Sequence, residues 1–151
     1  MARSVSAVGQ AVVVDASVAV KWIIREDASS DALAFLAQER PLLAPDILLI
    51  EVAAALAKRV HTGTLEKSDA DTLLGRLRGL IAQLPLTLTP AVDVAERALD
   101  LSGTLRHPLV DCLYLALAWS TNVGLVTADR KLAEAAARSG LPGLVRIGPA
   151  T

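Results

Sequence analysis

The chain predicts a single α/β domain, a three-layer α/β/α sandwich around a short and mostly parallel sheet. Three observations predict it. Short apolar runs bounded by turn or helix signals, of which Val12-Val13-Val14 is the clearest, have the form of strands buried on both faces. Between these runs lie stretches with apolar residues at helical spacing, so strand and helix alternate from end to end, as a parallel sheet requires. Finally, 151 residues without linker, internal repeat or low-complexity tract suit one core, burying about 70% of the unfolded surface.

The first strand, Val12-Val13-Val14, ends at Asp15 behind a loose leader over residues 1–10. Arg3 ahead of an apolar stretch resembles a secretion signal, but Asp15 interrupts the stretch and no clear cleavage site follows. Ser17 is placed to cap a short helix through Trp22 and Ile24, which Glu26-Asp27 breaks. Ser29 or Ser30 opens a second helix to about residue 39, with Leu33, Leu36 and Ala37 at helical spacing. Leu42-Leu43-Ala44 is the second strand. Pro45 stops it and, with Asp46, opens a long helix to His61, closed at Gly63 where a left-handed cap suits glycine. Ser68, with Asp71 three residues on, has the form of a capping box and opens a helix through Leu73, Leu77 and Leu80. Leu86–Thr89 alternates as a third strand, Pro90 punctuates it, and residues 91–102 are helical with Gly103 as their stop. Pro108 opens the helix that carries Asp111, Leu115 and Ala118. Gly124–Thr127 is the fourth strand, residues 130–139 form a helix ended by Gly140, and residues 145–147 add an edge strand.

Composition narrows the function. Hydrophobic residues make up 53% of the chain, mostly Ala, Leu and Val, which suits either an Ala-rich helical shell or an apolar face kept for a partner. A formal net charge of −1 supplies no global field for nucleic acid, so any such contact falls to local patches. The longest uncharged run, residues 112–128, is shorter than the roughly 20 residues of a spanning helix, and no membrane association is expected. The single cysteine, Cys112, permits no internal disulfide, fits a reducing cytoplasm, and reads as buried filler. With His61 and His107 the only histidines there is no HExxH zinc motif, and neither a P-loop nor a G-x-S-x-G elbow occurs.

Four acids remain. Asp15 follows the first strand, Asp129 follows the fourth, Asp111 lies in the first turn after Pro108, and Glu51 lies five positions past Asp46, about 7.5 Å along its helix. In a parallel α/β domain those positions converge on the carboxyl edge of the sheet, because strands end and the following helices begin there. Carboxylates crowded there repel one another unless a divalent cation neutralises them, and an all-oxygen donor set suits a hard ion such as Mg²⁺ or Mn²⁺. Singly, each acid has an ordinary explanation as a turn former or a helix-dipole partner. That explanation is weakest for Glu51, set among Ile50, Val52, Ala54 and Leu56, where an unpaired carboxylate is costly to bury. The pattern reads as a metal-dependent enzyme acting on phosphates.

The residues around these acids carry a resemblance. Val13-Val14-Asp15-Ala16-Ser17-Val18 resembles the opening motif of PIN domains, and Glu51-Val52-Ala53 their helix acid. Pro108-Leu109-Val110-Asp111-Cys112-Leu113-Tyr114-Leu115-Ala116 resembles their third motif and Leu125-Val126-Thr127-Ala128-Asp129 the last. The likeness spans nearly the whole chain in the right order, and the length is similar to that of the small VapC-like toxins of bacterial toxin–antitoxin pairs. Cys112 departs from the more usual alanine but keeps its size.

The resemblance implies an endoribonuclease that hydrolyses RNA phosphodiester bonds with one or two Mg²⁺ or Mn²⁺ ions. Asp15 and Asp111 are then the expected direct ligands, with Glu51 and Asp129 completing the set directly or through water. It also implies a homodimer inhibited by a cognate antitoxin. Ser17 and Thr127, each two residues from a cluster acid, can hydrogen-bond a carboxylate, a bound water or a phosphate; their plainer roles are a helix cap and a strand-end hydroxyl. Arg106-His107 and Arg130-Lys131 lie near enough to hold phosphates, whereas Lys58-Arg59, Arg76 and Arg78 read as solvated helix faces. Aromatics are only 3%, so Trp22, Phe35, Tyr114 and Trp119 are expected as core or interface anchors rather than base-stacking platforms. Two other readings fit the same resemblance, a housekeeping RNA-processing PIN nuclease and a catalytically silent PIN module that binds RNA or protein.

Overall fold

The computed structural model describes residues 10–148, so the expected leader over 1–10, apart from exposed Gln10, lies outside the described residues. Among these the chain forms five strands, β1 (Val12–Val14), β2 (Leu42–Pro45), β3 (Leu86–Thr89), β4 (Gly124–Thr127) and β5 (Leu144–Arg146). Seven helices connect them: α1 (Ala16–Ile23), α2 (Ser29–Leu36), α3 (Leu48–His61), α4 (Lys67–Gln83), α5 (Ala95–Leu105), α6 (Leu109–Thr121) and α7 (Arg130–Arg138). Every strand pairing is parallel, in the order β3-β2-β1-β4-β5, so the expectation of a mostly parallel sheet is met in full.

Burial explains why these runs became strands and which one is central. Val12, Val13 and Val14 are buried at once, on both faces of the sheet, as β1 pairs Val12 with Leu42 on one side and with Gly124 on the other. From β1 the chain moves outward to β2 and β3, then returns past β1 to β4 and β5, so the direction of travel reverses between β1 and β4. At such a reversal the chain leaves neighbouring strands toward opposite faces and opens a crevice at their carboxyl ends. Right-handed crossovers place α1 to α4 on one face and α5 to α7 on the other. The packing agrees: α1 touches α2, α3 and α4, whereas α5 packs on α6 and α6 lies against β1, β2 and β4. This is the three-layer sandwich. Helix α6 is apolar all round and buried from Cys112 to Ala118, as a helix sealed between a sheet and a neighbour should be.

Five local expectations need correction. Pro45 is the last residue of β2, and α3 begins at Leu48 behind Ile47 rather than at Pro45 and Asp46. Asp15, not Ser17, is the N-cap of α1, with extended φ/ψ of −80° and 151° and a carboxylate accepting from the Ser17 amide. The Ser68–Asp71 capping box does not form: the cap of α4 falls two residues earlier, at Glu66, and Asp71 pairs instead with exposed Lys67. Residues 91–94 form a 3₁₀ turn before α5, and α5 runs through Gly103 to end at Arg106 in the left-handed region, φ 50°. The extra residues bring Leu105 into the core, a gain that glycine's weak helix preference, about 1 kcal/mol, does not outweigh. The last strand is Leu144–Arg146 rather than 145–147. It approaches β4 so closely that a Cβ on Gly124 would lie 2.2 Å from the Gly143 carbonyl oxygen, so both chains must pass there as bare backbone.

Candidate active site

Asp15 is the most constrained of the acids. It stands at the end of β1, 4% exposed, and its Oδ2 accepts from Ser17 Oγ at 2.5 Å and from Thr127 Oγ1 at 3.0 Å. Ser17 and Thr127 thus bridge the two strands that flank the chain reversal. Ser17 Oγ also accepts from the Ala128 amide at 2.9 Å, and Thr127 Oγ1 from the Asp129 amide at 3.0 Å. The β4–α7 turn that carries Asp129 is therefore tied to Asp15 through hydroxyls, a carboxylate-orienting role beyond that of cap or strand end. Asp129 caps α7, its Oδ1 accepting from the Lys131 amide at 2.8 Å and the Leu132 amide at 3.3 Å.

The other two acids come from opposite helical layers. Glu51 sits in the first turn of α3 and accepts from the Tyr114 hydroxyl of α6, 2.7 Å from its Oε2. Asp111, in the first turn of α6, has its Oδ2 2.9 Å from His107 Nε2. Each carboxylate thus has one oxygen fixed by a protein donor. Among the described residues Asp15 Oδ1, Glu51 Oε1, Asp111 Oδ1 and Asp129 Oδ2 accept no hydrogen bond.

Their electrostatics show that they share one neighbourhood. The Asp15 carboxyl is pushed above its ordinary value by burial, against the Ser17 and Thr127 hydrogen bonds, with the Asp111 charge adding to the rise. Glu51 is pushed up to about 7, first by burial and then by the Asp15 and Asp111 charges, with the Tyr114 hydrogen bond opposing. Asp111 rises through burial and the Asp129 charge, against the hydrogen bond from His107. Ionised together, these groups destabilise one another, and a cation among them would reverse the sign. Among the described residues no lysine or arginine pairs with any of the four. The donor set fits a hard divalent ion: four carboxylates, oriented by hydroxyl, imidazole and backbone amide donors, with no lysine or arginine among the described residues to compete for them. Yet no three metal-binding side chains among the described residues already stand close enough together to hold an ion, so binding must draw the acids inward against their repulsion.

Tyr114 and His107 extend the set of residues that the sequence singles out. Tyr114, expected as a core or interface anchor, is buried in the core, but its hydroxyl serves Glu51. Its place one turn after Asp111 on α6 was the available signal. His107, expected as a phosphate contact, is itself buried and engaged with Asp111, while exposed Arg106 remains outside. Arg130 pairs with Glu134 at 3.1 Å, and Lys131 is exposed. Arg59, expected on a solvated face, is bound to Glu26 at 2.7 Å. A cleft of about 660 Å³ between α5, α6 and α7 includes none of the four acids; the site is assigned on its carboxylates because chemistry needs reactive groups, not volume. No helix among the described residues is long and apolar enough to cross a membrane.

Comparison with known proteins bears on the family and the fold. A family model described as "PIN domain" matches residues 12–138. The chain is 31% identical over 137 residues to Ribonuclease VapC1 of Mycobacterium tuberculosis, covering 89% of this chain and 96% of that one. It is 32% identical over 124 residues to Ribonuclease VapC3 of Pyrobaculum aerophilum, covering 81% and 92%. Among solved structures, PAE2754 from P. aerophilum superposes with a TM-score of 0.63 at 20% identity, covering 91% of this chain and 92% of that one. VapBC2 from Rickettsia felis, bound to a DNA fragment from its promoter, gives 0.59 at 16% identity, covering 91% and 97%; both likenesses concern the fold.

Proposed function

The chain belongs to the PIN domain family, and from that premise we propose that it is a metal-dependent endoribonuclease, the toxin of a toxin–antitoxin pair. The observation that carries the reading is the group of four acids at the carboxyl edge, with three pKa values raised and no lysine or arginine among the described residues paired to them, in a chain whose relatives are ribonucleases of the VapC kind.

Mg²⁺ or Mn²⁺ bound there would supply Lewis-acid stabilisation of the scissile phosphate and a more acidic water for in-line attack. The chain's own residues set the stage. Asp15, held by Ser17 and Thr127, and Asp111, held by His107, are the expected direct ligands through their free oxygens, with Glu51 and Asp129 completing the set directly or through water. Burial of Asp15 removes competing solvent from one side. Arg106, Arg130 and Lys131 are exposed near the acids and suit RNA phosphates on either side of the scissile one, which offsets a net charge of −1 only locally.

The proposed partners are RNA, a cognate antitoxin and a second copy of the chain, in the bacterial cytoplasm. An antitoxin side chain of positive charge would suit the acids in place of the metal. The test is brief expression in a bacterium with sequencing of the new RNA ends. Wild type should arrest growth and leave defined ends, Asp15→Asn should do neither, and coexpressed antitoxin should restore growth. Equal harmlessness of both at matched soluble levels, with Mn²⁺-dependent cleavage by the purified wild type, would replace the toxin by a housekeeping nuclease. No cleavage at all would leave a silent binding module.

A further inference from the structure

Glu51 is the acid hardest to keep in place. It reaches the group from α3, on a side chain longer and freer than those of Asp15 and Asp111, whose charges drive it outward. Only one protein group restrains its carboxyl among the described residues, the Tyr114 hydroxyl at 2.7 Å from Oε2. We infer that Tyr114 is a positioning residue of the metal site, holding Glu51 Oε2 so that Oε1 is presented to the cation.

Three observations carry this. The Tyr114 ring is 0% exposed and locked within α6, a rigid element shared with Asp111 three residues earlier, so the hydroxyl is fixed relative to another cluster acid. The bond spans the sheet's two helical layers, from α6 to α3, linking acids that are far apart in sequence. Its chemistry also suits a positioning role, since a hydroxyl orients a carboxylate without adding charge, whereas a lysine or arginine there would neutralise the group and compete with the ion. His107 does the corresponding work for Asp111. The inference rests on the metal-dependent reading above.

The test is Mn²⁺ binding by titration calorimetry, with metal-free melting as a second readout. Tyr114→Phe keeps the ring and removes only the donor, so it should weaken Mn²⁺ binding about tenfold, as losses of outer ligand-orienting groups do. Metal-free melting should change little, because the acid that loses its tether can turn to solvent. In a Glu51→Asp background, whose shorter side chain no longer reaches the hydroxyl, Tyr114→Phe should add no further loss. A Tyr114→Phe dissociation constant within twofold of the parent overturns the inference while leaving the metal site standing. So does an equal loss in the Glu51→Asp background, which would make Tyr114 a general structural support. If the wild type binds no Mn²⁺, both the metal reading and this inference fall.

Discussion

Replacing Glu51 by glutamine should make the metal-free protein more stable at pH 8 while removing its cleavage activity. The folded chain holds the Glu51 proton up to about pH 7, whereas the unfolded chain releases it near 4.5. Between those values the folded state binds more protons, so the contribution is fully present below the lower value and lost as pH rises through the upper one. Each unit of displacement is worth about 1.4 kcal/mol. The carboxyl is only half-buried and solvent screens part of the effect, so the net loss is on the order of 2 kcal/mol. For a domain of this length that corresponds to about 4–8 °C in melting temperature. Glutamine cannot ionise and can still accept from Tyr114, so it removes the penalty and keeps the tether. The assay is thermal or urea unfolding at pH 5 and pH 8 with chelator present. The parent should lose stability between the two, and Glu51→Gln should lose less, Asp15 and Asp111 retaining their share of the slope. A variant no more stable than the parent at pH 8, with the same pH dependence, would refute the placement of Glu51 in a mutually repelling group.

Three further outcomes follow from the same geometry. Saturating Mn²⁺ or Mg²⁺ should raise the melting temperature, by about 2.7 kcal/mol of stability at a hundred times Kd, and Asp15→Asn should abolish the rise; a parent that melts unchanged in both metals would speak against the site. Asp111→Asn should eliminate RNA cleavage without unfolding the chain, while Asp46→Asn, which keeps the acceptor for the Ala91 amide 2.9 Å away, should cleave normally, so comparable activities in the two would relocate the chemistry. Gly124→Ala should lower stability by about 1–3 kcal/mol, because its Cβ would meet the backbone oxygen of Gly143 and neither chain can yield cheaply; unchanged melting would mean that β4 and β5 pack more loosely.

What the sequence determined by itself was carried by local pattern wherever a single signal stood unopposed. The runs Val12–Val14, Leu86–Thr89 and Gly124–Thr127 became strands where short apolar or alternating patterns placed them. The four acids could be singled out because each lies beside a strand end or in an early helical turn, and the alternation of strand and helix sends those places to one edge. Where two local signals competed, only the folded context decided. Asp15 and Ser17 are both good caps, and Asp15 took the role while Ser17 turned its hydroxyl to the Asp15 carboxylate and the Ala128 amide, a partner 111 residues away. Gly103 reads as a helix stop, yet burial of Leu105 carried α5 past it. His107 reads as a surface cation although its partner Asp111 lies only four residues on, because its burial is not written in the sequence, and Tyr114 reads as a core anchor because its partner cannot be seen without knowing which helices meet. Tyr114 and Glu51 stand 63 positions apart, and α6 and α3 belong to opposite layers of the sandwich. Such a pairing is set by strand order and crossover hand, which bring distant side chains together with no mark in the intervening residues.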